Sequence, residues 1–363
     1  MKILYAIQGT GNGHLSRARD IIPILQSKGE VDILISGNQS DVQLPFEIKY
    51  KLKGLGFVFG KKGGIDFLET YKKSSLRSLF REINNLPVEK YDIVINDFEP
   101  VSAWACYTKN KPCVALSHQA AVLNSKAPQP NHTDILGRSV LKNYAPATIQ
   151  YGFHFRQYDK NIFTPVIRKQ VRELKPENNG YYTVYLPAYS DEKIIKVLSE
   201  IKNVQWQVFS KHNKKNKQDN NIKIFPINNE NFVTSMAGAA GILCGAGFET
   251  PAEALFLKKK LLVIPMKRQF EQHCNAAALA KLNVPVIKSL KKKYLTKIKD
   301  WISDETIVTV NFPDITEEII NTVFKKYFAA SNKQEVLPGK KISSFKKFKN
   351  LTAKKILRQF MPS

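Results

Sequence analysis

Short apolar runs alternate with amphipathic stretches along most of the chain. Residues 2–7 form an almost unbroken apolar run that ends in the turn Gln8-Gly-Thr-Gly-Asn-Gly13. A run of that length stopped by glycine predicts a buried strand. From His14 onward, Leu15, Ala18, Ile21, Ile22 and Leu25 fall on one face of a helix, with Pro23 expected to kink it. Further strands are predicted at 31–35, 46–52, 93–95 and 113–116, with helices over 66–86 and from 101. Strand and helix in alternation predict a parallel, doubly wound α/β sheet. The alternation breaks over 151–175, which includes the half-polar Gly152-Phe-His-Phe155, and Pro176-Glu-Asn-Asn-Gly180 reads as a turn. A second α/β set follows, with strands at 181–186, 206–209, 222–225, 241–244 and 261–265. Its helices are expected at 191–201, 229–237, 269–282 and 315–328, and a Lys/Asn-rich loop at 211–221. The expected organisation is one Rossmann-like domain over 1–150, a linker over 151–178, a second such domain over 179–328, and a linker with a tail over 329–363.

Composition agrees with this division. The chain has 363 residues, of which 43% are apolar, enough for two cores of ordinary size. No apolar run approaches the roughly 20 residues of a membrane span, and the amino-terminal run reads as a strand, not a signal peptide. Cys106, Cys113, Cys244 and Cys274 lack Cys-x-x-Cys spacing, which suggests reduced, buried thiols in a cytoplasmic protein. The net charge of +25 favours an anionic partner, although dispersed lysines are adequately explained by solubility. The end of the chain is different. Residues 340–363 carry eight Lys/Arg and no acidic residue, while Ile342, Phe345, Phe348, Ala353, Ile356, Leu357 and Phe360 share a helical stripe. Such a basic amphipathic helix suits the inner face of an anionic membrane; a solvated helix packed on the body is an equal alternative, and nucleic-acid binding a third.

The candidate chemistry is concentrated in two glycine turns. The first is Gly9-Thr-Gly11-Asn-Gly13-His14 at a strand-to-helix junction, where glycines expose backbone amides to phosphate. Its spacing is not G-x-G-x-x-G, the second strand ends at Ser36-Gly37-Asn38 without an acid, and the Walker lysine is missing. Dinucleotide and P-loop sites are thereby disfavoured. The second turn opens Cys244-Gly-Ala-Gly-Phe-Glu-Thr-Pro-Ala-Glu253, followed by 261–264, Pro265, and then Glu271, Gln272 and Asn275. A helix start behind glycines and polar side chains at the carboxyl edge of a parallel sheet suit a ligand with phosphates and hydroxyls. In the competing reading Thr250-Pro-Ala-Glu253 is a capping box, and Lys258–Lys260 are cations at the helix end. Asp97 and His118 follow strands and lie at the same kind of edge; either also fits a loop role, and Glu99 fits a cap. His132, His154 and His212 lack metal spacing and no Asp-x-Asp occurs, so neither a metal nor a cofactor is expected. The loop 54–64, with five glycines, reads as a mobile surface loop, with folding over an acceptor as the alternative.

The two turns resemble those of nucleotide-sugar glycosyltransferases of the two-domain GT-B architecture. The similarity is to the glycosyltransferase family 28-like group that includes the peptidoglycan lipid-intermediate N-acetylglucosaminyltransferases. It implies two Rossmann-like domains facing across a cleft and a UDP-linked donor. It further implies transfer of a hexosyl or N-acetylhexosaminyl group to a hydroxyl, with a lipid-linked acceptor as one option, with inversion and without metal. On this resemblance Gly11, Gly13, Gly245, Gly247 and Asn275 line the donor, Glu253 holds its ribose, and Glu271 with Gln272 holds sugar hydroxyls. His14 is the general base, kept neutral by the helix start; Asp97 orients it or takes the proton itself; His118 faces the acceptor. Backbone amides, a helix start and Arg17 or Arg168 would neutralise the leaving diphosphate. Two departures stand out: Lys258 and Lys260 replace glycine and proline, and Glu271 replaces aspartate. The alternatives are a UDP-sugar 2-epimerase of the same fold and a non-catalytic basic protein that binds nucleic acid or membrane.

Overall fold

The computed structural model describes residues 1–37, 44–55, 58–60, 64–66, 76–131 and 134–332. The tail helix expected at 340–363 and His132 lie outside them. Seven parallel strands form the first sheet: β1 (Lys2–Gln8), β2 (Glu30–Ser36), β3 (Tyr50–Leu52), β6 (Ile93–Asp97), β7 (Val114–Leu116), β8 (Ile149–Phe153) and β9 (Ile162–Phe163). Their order is β3-β2-β1-β6-β7-β8-β9. β1 and β6 are buried on both faces because helices cover both, which is why their sequences do not alternate. The order runs away from this pair in opposite directions, so the chain leaves β1 and β6 toward opposite sides and opens a crevice at their carboxyl ends. β4 (Val58–Gly60) and β5 (Gly64–Asp66) form a separate antiparallel pair within the glycine loop, whose residues 56–57 and 61–63 are outside the described set.

The second sheet repeats the plan. β10 (Tyr181–Tyr185), β11 (Gln205–Ser210), β13 (Ile222–Pro226), β14 (Gly241–Gly245) and β15 (Lys260–Ile264) are parallel. β12 (Lys217–Asp219) adds an antiparallel edge, giving the order β12-β13-β11-β10-β14-β15. Here the order reverses between β10 and β14, which puts the turn Gly245–Gly247 at the second crevice.

Several elements differ from the sequence-based expectation. The predicted linker contains the end of β8 and all of β9, because Gly152 lets the strand lie directly on Ala121 and the half-polar pattern conceals a buried edge. The 66–86 helix is confirmed only as Leu76–Asn85; Asp66 ends β5, and 67–75 are not among the described residues. Helix Leu295–Ser303 was not anticipated. Pro23 lies inside helix Asn12–Gln26 on its exposed side, where a missing amide hydrogen is tolerated most easily. Helix Thr316–Asn332, which follows the second sheet in sequence, packs back on the first lobe. There Tyr327 donates to the Asp92 carbonyl at 3.1 Å and Ile319, Ile320, Val323 and Phe324 join Ile21, Ile22 and Leu25 in one core. That core continues through Phe153, Phe155 and Ile167 to Phe248, Leu255 and Leu279, so apolar packing spans the two lobes.

A Cβ at Gly152 would lie 2.6 Å from Ala121 Cβ and 2.8 Å from its Cα. Gly152→Ala should therefore destabilise the protein by about 1–3 kcal/mol through overpacking, read as a lower denaturation midpoint in guanidinium.

Candidate active site

Helix Asn12–Gln26 begins immediately after the first glycine turn, with Gly11 at φ 99°, a backbone that favours glycine. His14 therefore sits in the first turn of the helix, and Arg17 follows three residues later on the same face. Asp97 is the last residue of β6, paired in register with Ile7 of β1. Its side chain is fully buried and points under the helix start. Asp97 Oδ1 accepts from His14 Nδ1 at 2.8 Å, and both of its oxygens accept from Arg17 Nη2, at 2.8 and 2.7 Å. Arg17 is 1% exposed, and its Nη1 donates to Glu249 at the start of helix Glu249–Phe256 in the second lobe. The Glu249 carboxylate lies against Gly13, where any side chain would collide with it. The two glycine turns therefore meet through His14, Asp97, Arg17 and Glu249.

The electrostatics follow from this packing. Burial alone would raise the Asp97 carboxyl, but Arg17 and His14 reverse the effect and hold it below its ordinary range. Burial lowers the proton affinity of His14; the Asp97 charge and hydrogen bond outweigh it, and the ring ends above its ordinary value. The helix start was expected to keep His14 neutral, yet a full charge 2.8 Å away exceeds the partial charge of a helix end. Nδ1 faces a carboxylate, so it carries the hydrogen and the lone pair belongs to Nε2.

A second set of contacts crosses between the lobes beside the first. Ser117 caps the helix His118–Val122, with Oγ 3.3 Å from the Ala120 amide, and this fixes His118 and Gln119. His118 Nδ1 lies 2.8 Å from the Phe153 carbonyl and Nε2 2.7 Å from Oδ1 of Asn275, whose Nδ2 donates to the Ala246 carbonyl at 3.1 Å. The imidazole stacks on Phe248 with centroids 3.8 Å apart. Burial pushes His118 below the usual histidine range, against the pull of Glu271 and Glu249. Gln119 Nε2 donates to Glu271 at 3.1 Å and approaches His14 Nε2 at 3.4 Å.

The expected donor residues gather around the second turn. Gly245 and Gly247 are partly exposed, and a Cβ at Gly247 would meet nothing within 4 Å. Gln272 Oε1 accepts from the Met266 amide at 2.9 Å, which leaves its NH2 group as a donor for another partner. Glu253 is buried and accepts from Arg168 Nε at 2.5 Å and Nη2 at 2.7 Å. It therefore does not close a capping box, and the helix start has no side-chain cap. Glu99 does cap, accepting from the Val101 and Ser102 amides at 2.7 and 2.6 Å. Lys259 donates to the Glu177 carbonyl and Lys260 to that of Ile302, so both are tied to neighbouring backbone and are not merely cations at a helix end. Arg17 and Arg168, expected near a diphosphate, are both committed to carboxylates, because a buried guanidinium must be paired. Sequence reasoning missed Glu249 and Gln119. Glu249 was within the glycine motif, and Gln119 adjoined a singled-out histidine. All four cysteines are free and buried.

The fold is shared with other solved structures. Among solved structures, MurG of Acinetobacter baumannii superposes with a TM-score of 0.54 at 13% identity, covering 89% of this chain and 99% of that one. UGT2 of Phytolacca americana, solved with UDP-2-fluoro-glucose and pterostilbene, gives 0.54 at 13% identity over 90% and 98%. UGT89C1 of Arabidopsis thaliana, solved with quercetin, gives 0.52 at 11% over 97% and 98%. At such identities the likeness is one of fold, and that fold is GT-B: two Rossmann-like domains facing across a cleft. No curated protein matches the sequence. Residues 1–305 match the model of glycosyl transferase family 1, and the chain belongs to that family.

Proposed function

We propose that this glycosyltransferase moves a hexosyl or N-acetylhexosaminyl group from a UDP-linked donor to an acceptor hydroxyl, with inversion and without a metal ion. The observation that carries this reading is the buried Asp97–His14 pair at the carboxyl edge of β1 and β6, facing the glycine turn of the second lobe. Nε2 of His14 accepts the acceptor's proton, and Asp97 fixes the ring and offsets the imidazolium charge that develops. As the acceptor oxygen bonds to the anomeric carbon, the bond from that carbon to the diphosphate breaks and its electron pair leaves on the diphosphate. In this reading amides at Gly245–Gly247 and at Gly11–Gly13 receive that charge. Gln272, Glu271 and Glu253 are assigned to donor hydroxyls; His118, expected to face the acceptor, and Asn275, expected to line the donor, are buried with both polar ends engaged and are assigned instead to supporting the floor between the lobes. UDP is favoured because the Phytolacca enzyme of the same fold was solved with a UDP-sugar. A thermal-shift panel of nucleotide sugars tests the donor, and product formed from donor alone, without acceptor, would indicate epimerisation instead.

A base must lose its proton to act, so kcat/KM should rise with pH through an inflection above the ordinary histidine value of about 6.5. Asp97→Asn should move that inflection to lower pH, and His14→Ala should reduce kcat/KM about 10²–10⁴-fold while leaving donor binding measurable by calorimetry. Glu253→Gln weakens the Arg168 pair, so the melting midpoint should fall by several degrees, about 1–3 kcal/mol. The same variant should bind donor more weakly, and unchanged donor affinity would assign Glu253 to Arg168 alone. The basic residues and apolar stripe of 340–363 support a peripheral position on an anionic membrane. Sedimentation with phosphatidylglycerol vesicles, abolished by deleting 340–363, is the expected outcome.

A further inference from the structure

Gln119 is 4% exposed and lies between the lobes, with acceptors on two sides. One is Glu271 Oε2 at 3.1 Å, the other Nε2 of His14 at 3.4 Å. Both neighbours fix which end of the amide faces them. Turned over, the amide oxygen would oppose a carboxylate and the imidazole lone pair together, so the NH2 end must point there. The cost appears at the other end, where Gln119 Oε1 is buried and has no hydrogen-bond partner among the described residues. A carboxamide held this way is poised to turn when either neighbour changes. The contact also lies where the base has to work, because the lone pair that Gln119 covers is the one an acceptor hydroxyl must reach.

We propose that Gln119 is a positioning residue that covers the His14 lone pair in the ligand-free enzyme and yields it to the acceptor hydroxyl once a donor sugar engages Glu271. The proposal rests on His14 as base and Glu271 as a sugar contact. Glu271 belongs to the second lobe and His14 to the first, so one amide links donor occupancy on one side to base availability on the other. Donor engagement loosens the amide, which leaves the lone pair only as an acceptor hydroxyl takes its place, so the activated sugar is protected from water until then. When the turned amide presents Oε1 to the acceptor hydroxyl or to a protonated His14, the orphaned oxygen gains the donor it lacks.

The first test needs no ligand. Donation from Gln119 favours the neutral imidazole, so its removal should raise the His14 titration midpoint. In the full chain labelled with ¹⁵N-histidine, Gln119→Ala should titrate His14 at higher pH than wild type by a few tenths of a unit or more, while Gln119→Asn tests partial retention. The other surrounding charges are Asp97 and Arg17 on the Nδ1 side and Glu249 and Glu271 across the seam, and neither variant alters them. The second readout is hydrolysis of UDP-glucose and UDP-N-acetylglucosamine without acceptor, which should increase several-fold relative to transfer in Gln119→Ala. A His14 midpoint identical in wild type and Gln119→Ala, with folded spectra for both, overturns the inference. The reading of His14 as base fails separately, if His14→Ala retains transfer.

Discussion

A carboxylate placed at the end of a central strand, wholly out of water, has to be neutralised where it stands. Asp97 meets that requirement through Arg17 and His14, and the rest of the site is built around this solution. Without the guanidinium, the carboxylate would be driven toward protonation; without the carboxylate, Arg17 would be a buried, uncompensated cation. Breaking such a pair by removing one member typically costs about 3–5 kcal/mol, far more than the pair adds relative to apolar packing. The arrangement is therefore best understood as a device for holding a charge in a fixed place. It supplies His14 with a permanent partner and leaves a single nitrogen lone pair directed away from the sheet.

The same guanidinium extends the constraint to the second lobe. Nη1 of Arg17 reaches Glu249, so the residue that neutralises the proposed dyad also fixes the first turn of the helix behind Gly245–Gly247. A carboxylate at a helix start is favourable in itself, because it faces unpaired amides and the positive end of the helix. It also occupies part of the potential that an incoming anion would use. The lobes are thus held in register by charge at one point and by apolar packing through Phe153, Phe155 and Phe248 at another. Arg168 repeats the pairing of a buried guanidinium with a carboxylate, here Glu253.

Legibility in the sequence depended on how local each cause was. Gly11, Gly245 and Gly247 were readable because a turn with exposed amides needs glycine, and the doubly wound order followed from buried runs alternating with helices. His14 and Asp97 were each readable as residues at a sheet edge, but their pairing was not, since 83 residues separate them. Arg17 was noticed as a cation near a phosphate; its burial against two carboxylates depends on β6 and on the second lobe. Glu249 passed unnoticed because an acid in a first helical turn already has an ordinary explanation. β8 and β9 were hidden because Gly152 and the polar residues beside it interrupt the apolar run from which a strand is read. The return of helix Thr316–Asn332 to the first lobe leaves no trace in the order of elements.

Four groups in the seam, the Phe153 carbonyl, His118, Asn275 and the Ala246 carbonyl, form three successive contacts. Each contact needs one hydrogen, and the two carbonyls at the ends can supply none. A neutral imidazole and a carboxamide together direct only two hydrogens along this line, whichever tautomer or amide orientation is chosen. With a neutral His118, the form that burial favours, one junction sets lone pair against lone pair. In that form the row is one hydrogen short, so the bonding along this part of the seam is incomplete however its hydrogens are arranged.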